Sequence, residues 1–137
     1  MAESITNRGK LRLTTGGGSA ITWRAGIITG TQTGVHSLTL NTVADLDAVT
    51  SVSIHTERVT PGSVTVTEDD ANGRVNIDCA NLTFAAAPGV TAQGLIFYDE
   101  GSGTDSTRDL ISVHTTGFPQ PMDGGLNVTV TDFIRLT

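Results

Sequence analysis

The chain has 137 residues, 37% of them hydrophobic, 16% charged and 4% aromatic, with a net charge of −6. A chain of this length suits one domain with a core of its own, and low charge with ample apolar content argues against disorder. No run approaches the ~18 apolar residues of a membrane span, and an acidic balance disfavours nucleic acid as a partner.

The N-terminal end is the one basic stretch. Residues 1–24 hold Arg8, Lys10, Arg12 and Arg24 against Glu3 alone, and every other acid lies further on. A basic leading segment on an acidic body points to an arm that meets an acidic surface. Residues 1–9 are read as a flexible arm. Lys10-Leu11-Arg12-Leu13-Thr14 then alternates polar and apolar residues, which predicts a strand. Arg8, Lys10, Leu11, Arg12 and Leu13 are the candidate contact residues toward a neighbouring subunit. The competing reading is an edge strand guarded by Lys and Arg.

Gly16-Gly17-Gly18-Ser19 reads as a turn. Ile21–Ile28 and Val90–Tyr98 are apolar on both faces toward their ends and read as central strands. In Asn41–Val49, Val43, Leu46 and Val49 recur at three and Asn41 or Thr42 offers a cap, which predicts one or two helical turns. Ser51–Thr56 is a strand. Val64–Thr67 and Arg74–Cys79 alternate on either side of Asn72-Gly73, a hairpin signal. Asn81–Phe84, Leu110–His114, Leu126–Thr131 and Phe133–Leu136 complete the strands, with a bend or bulge at Asp132. About nine short strands and one short helical turn predict an all-β fold: a single-domain antiparallel β-sandwich, Ig-like or jelly-roll-like, over residues 10–137. The expected inward set is Val75, Ile77, Leu82, Phe84, Leu95, Phe97, Val128 and Val130.

The chemistry-bearing residues are scattered. His36, His55 and His114 stand apart, none with a second ligand at metal spacing. The single cysteine, Cys79, cannot form an internal disulfide and reads as a buried thiol. Its isolation, with no apolar signal in the first ten residues, fits folding in a cytoplasm. The glycines at 16–18 lack the Lys and helix of a phosphate loop. Asp99–Asp105 gathers oxygen ligands around glycines, but its spacing departs from that of a calcium loop. No catalytic, cofactor or metal residue is assigned, and the expected function is non-enzymatic.

A longer pattern adds to this. Asn72–Asp78 leads to Leu82-Thr83-Phe84. Thr91–Phe97 ends in Tyr98-Asp99-Glu100-Gly101, followed by Thr104-Asp105 and Asp109-Leu110-Ile111. Gly124–Val130 precedes the closing Phe133–Thr137. Trp23–Thr29 and Leu40–Asp47 agree more loosely. This pattern resembles a family of small structural proteins encoded beside the capsid gene in tailed phages. The short glycine-rich start and the Phe118-Pro119-Gln120-Pro121 loop depart from it. The resemblance implies a virion component: a decoration protein that folds in the host cytoplasm, binds the major capsid protein on the outside of the assembled head and stabilises it, most simply as a homotrimer. The alternative is a tail- or fibre-associated module that binds a host glycan. That reading needs exposed aromatics, and Trp23, Tyr98 and the four Phe fall mostly within strand patterns.

Overall fold

Leu95-Ile96-Phe97-Tyr98 has no polar face to offer water, and it lies where it needs none. The computed structural model describes residues 3–16, 21–101 and 103–136. In it the strand β8 (Gly94–Asp99) is buried along its whole length. It is the middle strand of a five-stranded sheet, ordered β1 (Glu3–Ile5), β9 (Leu110–His114), β8, β2 (Trp23–Thr29), β3 (Ser53–Val59). A three-stranded sheet joins β12 (Ile134–Leu136), β5 (Arg74–Asp78) and β4 (Thr65–Asp69). Two-stranded pairs join β11 (Leu126–Val128) to β6 (Leu82–Phe84) and β10 (Gln120–Pro121) to β7 (Thr91–Ala92). The fold is all-β and sandwich-like, 41% strand and 10% helix, as the alternating sequence predicts.

The side-chain period of two gives β8 two different neighbourhoods. Leu95 and Phe97 join Ala25, Ile27 and Ile111 and pack against Ile77, Leu82, Phe84 and Ile134 from the smaller sheets. Ile96 and Tyr98 join Ile28, Leu110 and Val113 on the opposite face and pack against Val35, Val43 and Leu46. The second face is closed by the helix α2 (Val43–Asp47). Thr42 caps it as expected. Its hydroxyl accepts from the Asp45 N–H at 3.1 Å, while the Asp45 carboxylate accepts from the Thr42 N–H at 3.0 Å. This reciprocal capping stabilises a helix too short to persist alone.

Other sequence signals hold. Asn72-Gly73 turns β4 into β5, with Gly73 at φ +59°, a conformation that glycine adopts freely. Asp132 is the bend before β12, at φ +47°. Of the expected inward set, Ile77, Leu82, Phe84, Leu95 and Phe97 are buried; Val128 and Val130 are half-buried against the same core, and Val75 is half-buried. Gly16 ends a helix, and residues 17–19 of the expected glycine turn lie outside the described residues.

The N-terminal end corrects the sequence reading twice. Where a flexible arm is expected, Glu3–Ile5 forms β1, the edge strand, with Glu3 opposite His114 and Ile5 opposite Ser112. Where a strand is expected over Lys10–Thr14, the chain forms the helix α1 (Asn7–Gly16). Thr6 decides the change. Its buried hydroxyl accepts from the Gly9 N–H at 2.8 Å and donates to the Leu110 carbonyl, so it caps the helix while anchoring it to β9. Gly9 and Leu13, four apart, form the buried face of the helix. β9 carries one extra residue, Ile111, where β8 pairs Phe97 with Ser112 and Tyr98 with Leu110. Gly9 lies directly over this bulge: a Cβ there would sit 2.3 Å from the Ile111 carbonyl oxygen.

Two stability predictions follow from this packing. Gly9→Ala should stabilise by about 1 kcal/mol on helix propensity alone. The contact with Ile111 reverses the sign, so urea denaturation should show a loss of stability. Phe84→Ala, which removes a ring only 1% exposed, should cost about 3–5 kcal/mol in the same measurement.

Candidate functional site

Because α1 is a helix, its two arginines lie on one side of it, four residues apart, against the acidic end of β8. Arg8 Nε is 3.7 Å from Asp109 Oδ1. Arg12 bonds Asp99 through Nη2, and its Nε is 3.4 Å from Asp109 Oδ2. Asp99 is buried and also accepts from the Thr22 N–H at 3.0 Å and the Gly101 N–H at 3.2 Å. Two of the five candidate contact residues therefore meet acidic groups of their own chain. Leu13 is buried in the core. Lys10 and Leu11 remain on the outer side of α1.

The Asp99–Asp105 loop, of which Ser102 lies outside the described residues, is likewise held by arginines. Glu100 lies 3.4 Å from Arg24 and 3.8 Å from Arg108. Asp105 lies 3.1 Å from Arg58 and 3.0 Å from Arg108. Both of its cations sit over the Tyr98 ring, at 5.5 and 5.9 Å from its centre, and Arg58 also donates to the Tyr98 hydroxyl at 3.2 Å. The hydrogen bond from Arg58, with Arg108 beside it, holds the Asp105 carboxyl below its ordinary value. The oxygen groups that suggested a cation loop thus point to guanidinium groups, and no cluster of three or more metal-ligating side chains occurs among the described residues.

Arg74 pairs with Asp69 at 2.9 Å. Six of the chain's eight Lys and Arg residues therefore have a carboxylate partner. The other two, Lys10 and Arg135, have no ion-pair partner among the described residues, and they line the same groove. This groove, about 310 Å³, runs beside β1 over Ile5, Leu38 and Phe133. It adjoins a hollow of about 500 Å³ lined by Leu95, Phe97, Phe118 and Val128, and the two share Glu3, His114, Phe133 and Arg135. Phe97 and Phe133 stack at 4.0 Å between ring centres beneath them.

The structure also gathers two histidines that the sequence leaves far apart. His114 Nδ1 is 3.4 Å from Glu3, and its Nε2 is 2.9 Å from Ser112 Oγ. The Glu3 carboxyl is held below its ordinary value, chiefly by His114 and further by the charge of Arg135. His36 bridges Ser4 Oγ and Thr115 Oγ1, each at 2.9 Å. Burial and the nearby His114 push its pKa down. These contacts fasten β1 on both faces. His55 lies elsewhere, on β3.

Leu38, which lines the groove, is 43% exposed, and Leu11, on the outer side of α1, is 52% exposed. The Asn7 N–H donates to the Leu38 carbonyl at 2.9 Å, tying that loop to the start of α1. Sequence reasoning finds Lys10 and Leu11 but misses Glu3, Leu38, His114, Phe133 and Arg135. No local pattern links residues from opposite ends of the chain. Comparison with known protein families, curated proteins and solved structures yields no match.

Cys79 is buried, and desolvation, with the Asp78 charge beside it, raises its pKa to about 11. The thiol should resist alkylation by iodoacetamide at pH 8 in the folded protein and react promptly in guanidinium chloride. Asp105 gives a pH prediction. Its lowered folded value contributes stability that is present above the ordinary 3.8 and lost as pH falls through the folded value. Asp105→Asn should therefore flatten the acid limb of the stability profile below about pH 4, measured by thermal melts across pH.

Proposed function

We propose that the chain is a non-enzymatic decoration protein of tailed-phage heads, which binds the major capsid protein on the outside of the assembled shell and strengthens it. The resemblance of residues 72–137 to small structural proteins encoded beside phage capsid genes supports this reading. The carrying observation is the corner formed by α1, β1 and the Leu38 loop. Leu38 is exposed there in an apolar groove whose Lys10 and Arg135 form no ion pair among the described residues, and Leu11, next to Lys10 in the sequence, is exposed on α1. An apolar patch with such a rim suits protein recognition. The contact set carried forward is Lys10 and Leu11, joined by Leu38. Arg8, Arg12 and Leu13 support the helix from behind. A homotrimer is the proposed assembly, because closed symmetry satisfies head-to-tail contacts without open-ended growth.

Purified protein mixed with undecorated shells should co-sediment with them and leave host cells unbound. Leu11→Asp combined with Leu38→Asp should abolish co-sedimentation while leaving the melting temperature within a degree or two of the parent. Binding to host cells in place of shells, or undiminished shell binding by the double variant, would overturn the reading.

A further inference from the structure

The cations of this chain are not distributed at random with respect to their partners. In a protein of net charge −6 with 14 acidic residues, six arginines each find a carboxylate in the same chain. Lys10 comes from α1 and Arg135 from β12, 125 positions apart in the sequence, yet both line the groove beside β1 and neither has an ion-pair partner among the described residues. The groove's single acidic residue, Glu3, lies 3.4 Å from His114 and within reach of the charge of Arg135, so one carboxylate faces two cations. The rim therefore carries an excess of positive charge over a floor of Ile5, Leu38 and Phe133.

The second observation concerns the backbone. β1 is the outermost strand of the five-stranded sheet: β9 lies on one side, and no strand of the described residues pairs with the other. Its only guards are its three-residue length and Glu3, since Glu3-Ser4-Ile5 contains neither proline nor lysine. It is also held firmly. His36 bonds Ser4, His114 pairs with Glu3, and the Thr6 N–H donates to the Ile111 carbonyl at 3.0 Å. A fixed strand with a free edge is a template for strand addition, in which backbone hydrogen bonds supply affinity and flanking pockets supply specificity.

We propose that β1 and its groove receive an extended segment of a partner protein, added as a sixth strand, with apolar side chains on the Ile5–Leu38–Phe133 floor and carboxylates paired to Lys10 and Arg135. The inference deepens the attachment reading by naming what the partner presents, and it shares that reading's surface. It does not depend on which protein carries the segment. An isolated anion would satisfy the cations but leave the strand edge and apolar floor unused. A nucleic acid strand would bring its phosphates to an acidic protein.

A defined peptide tests the inference without any shell. An eight-residue, end-capped peptide alternating valine and glutamate is titrated into the intact protein by calorimetry, beside a counterpart alternating valine and lysine. The glutamate peptide should bind and the lysine peptide should not. Lys10→Glu with Arg135→Glu should weaken binding by about tenfold, as expected for two rim charge pairs. Raising the salt concentration should weaken it in the same direction. In hydrogen exchange, the β1 amides that point away from β9 should gain protection when the peptide is bound. Absence of binding, equal binding of both peptides, indifference to the double charge reversal, or protection confined to other strands would each overturn the proposal. A shell-binding failure with intact peptide binding would reject the capsid as partner and keep the groove. The opposite result would reject strand addition and keep the capsid.

Discussion

Everything in this domain is arranged around one strand that must stay dry on both faces. Burying the side chains of β8 in two directions requires two separate apolar layers, and a single sandwich interface provides only one. The smaller sheets cover Leu95 and Phe97, while α2 and the segment before it cover Ile96 and Tyr98. This requirement explains why a β-rich chain keeps a short helix with a complete capping box. Without α2, Ile96, Leu110 and Val113 would face water, at a cost of roughly 1.5–3 kcal/mol for each large side chain.

The polar end of β8 sets the electrostatics. Tyr98 carries a hydroxyl into the second layer, and a buried hydroxyl needs a partner. Arg58 reaches it by crossing β2 at Gly26, where a Cβ would stand 3.0 Å from the arginine's Cδ. Asp99, immediately after Tyr98, is buried and draws Arg12 from α1. A glycine in a strand, a helix over an edge and an arginine-lined loop thus meet the polar requirements of two consecutive residues. The charge asymmetry along the sequence has the same origin. The basic N-terminal stretch complements the acidic residues that follow β8, and most of that complementarity is satisfied within the chain.

The sequence is most legible where local pattern and burial coincide. Leu95 to Tyr98, apolar on both faces, announces a central strand. Thr42 with Val43 and Leu46 announces a capped helix. Asn72-Gly73 announces a hairpin. Lys10 to Leu13 misleads because two leucines two apart satisfy strand alternation, while the helical face depends on Gly9 and Leu13 and on a cap at Thr6. Glycine contributes nothing to a hydrophobic pattern, so a face built on it is invisible until the bulge at Ile111 is known. The groove is illegible for a different reason. Its residues come from β1, α1, the Leu38 loop, β9 and β12, and what they share is position in the folded sheet.

That dispersed origin has a practical meaning. The groove is lined by Glu3, Ile5 and Lys10 from β1 and α1 and by Phe133 and Arg135 from the region of β12, so it comes into being only when these elements have docked together. A chain clipped ahead of Phe133 lacks both Phe133 and Arg135 from this lining, so the groove belongs to the folded sheet and not to any one segment. A label set on β1 or β12 would stand on the same surface. The β4–β5 turn at Asn72-Gly73, which belongs to the smaller sheet, is the more suitable place to insert a label.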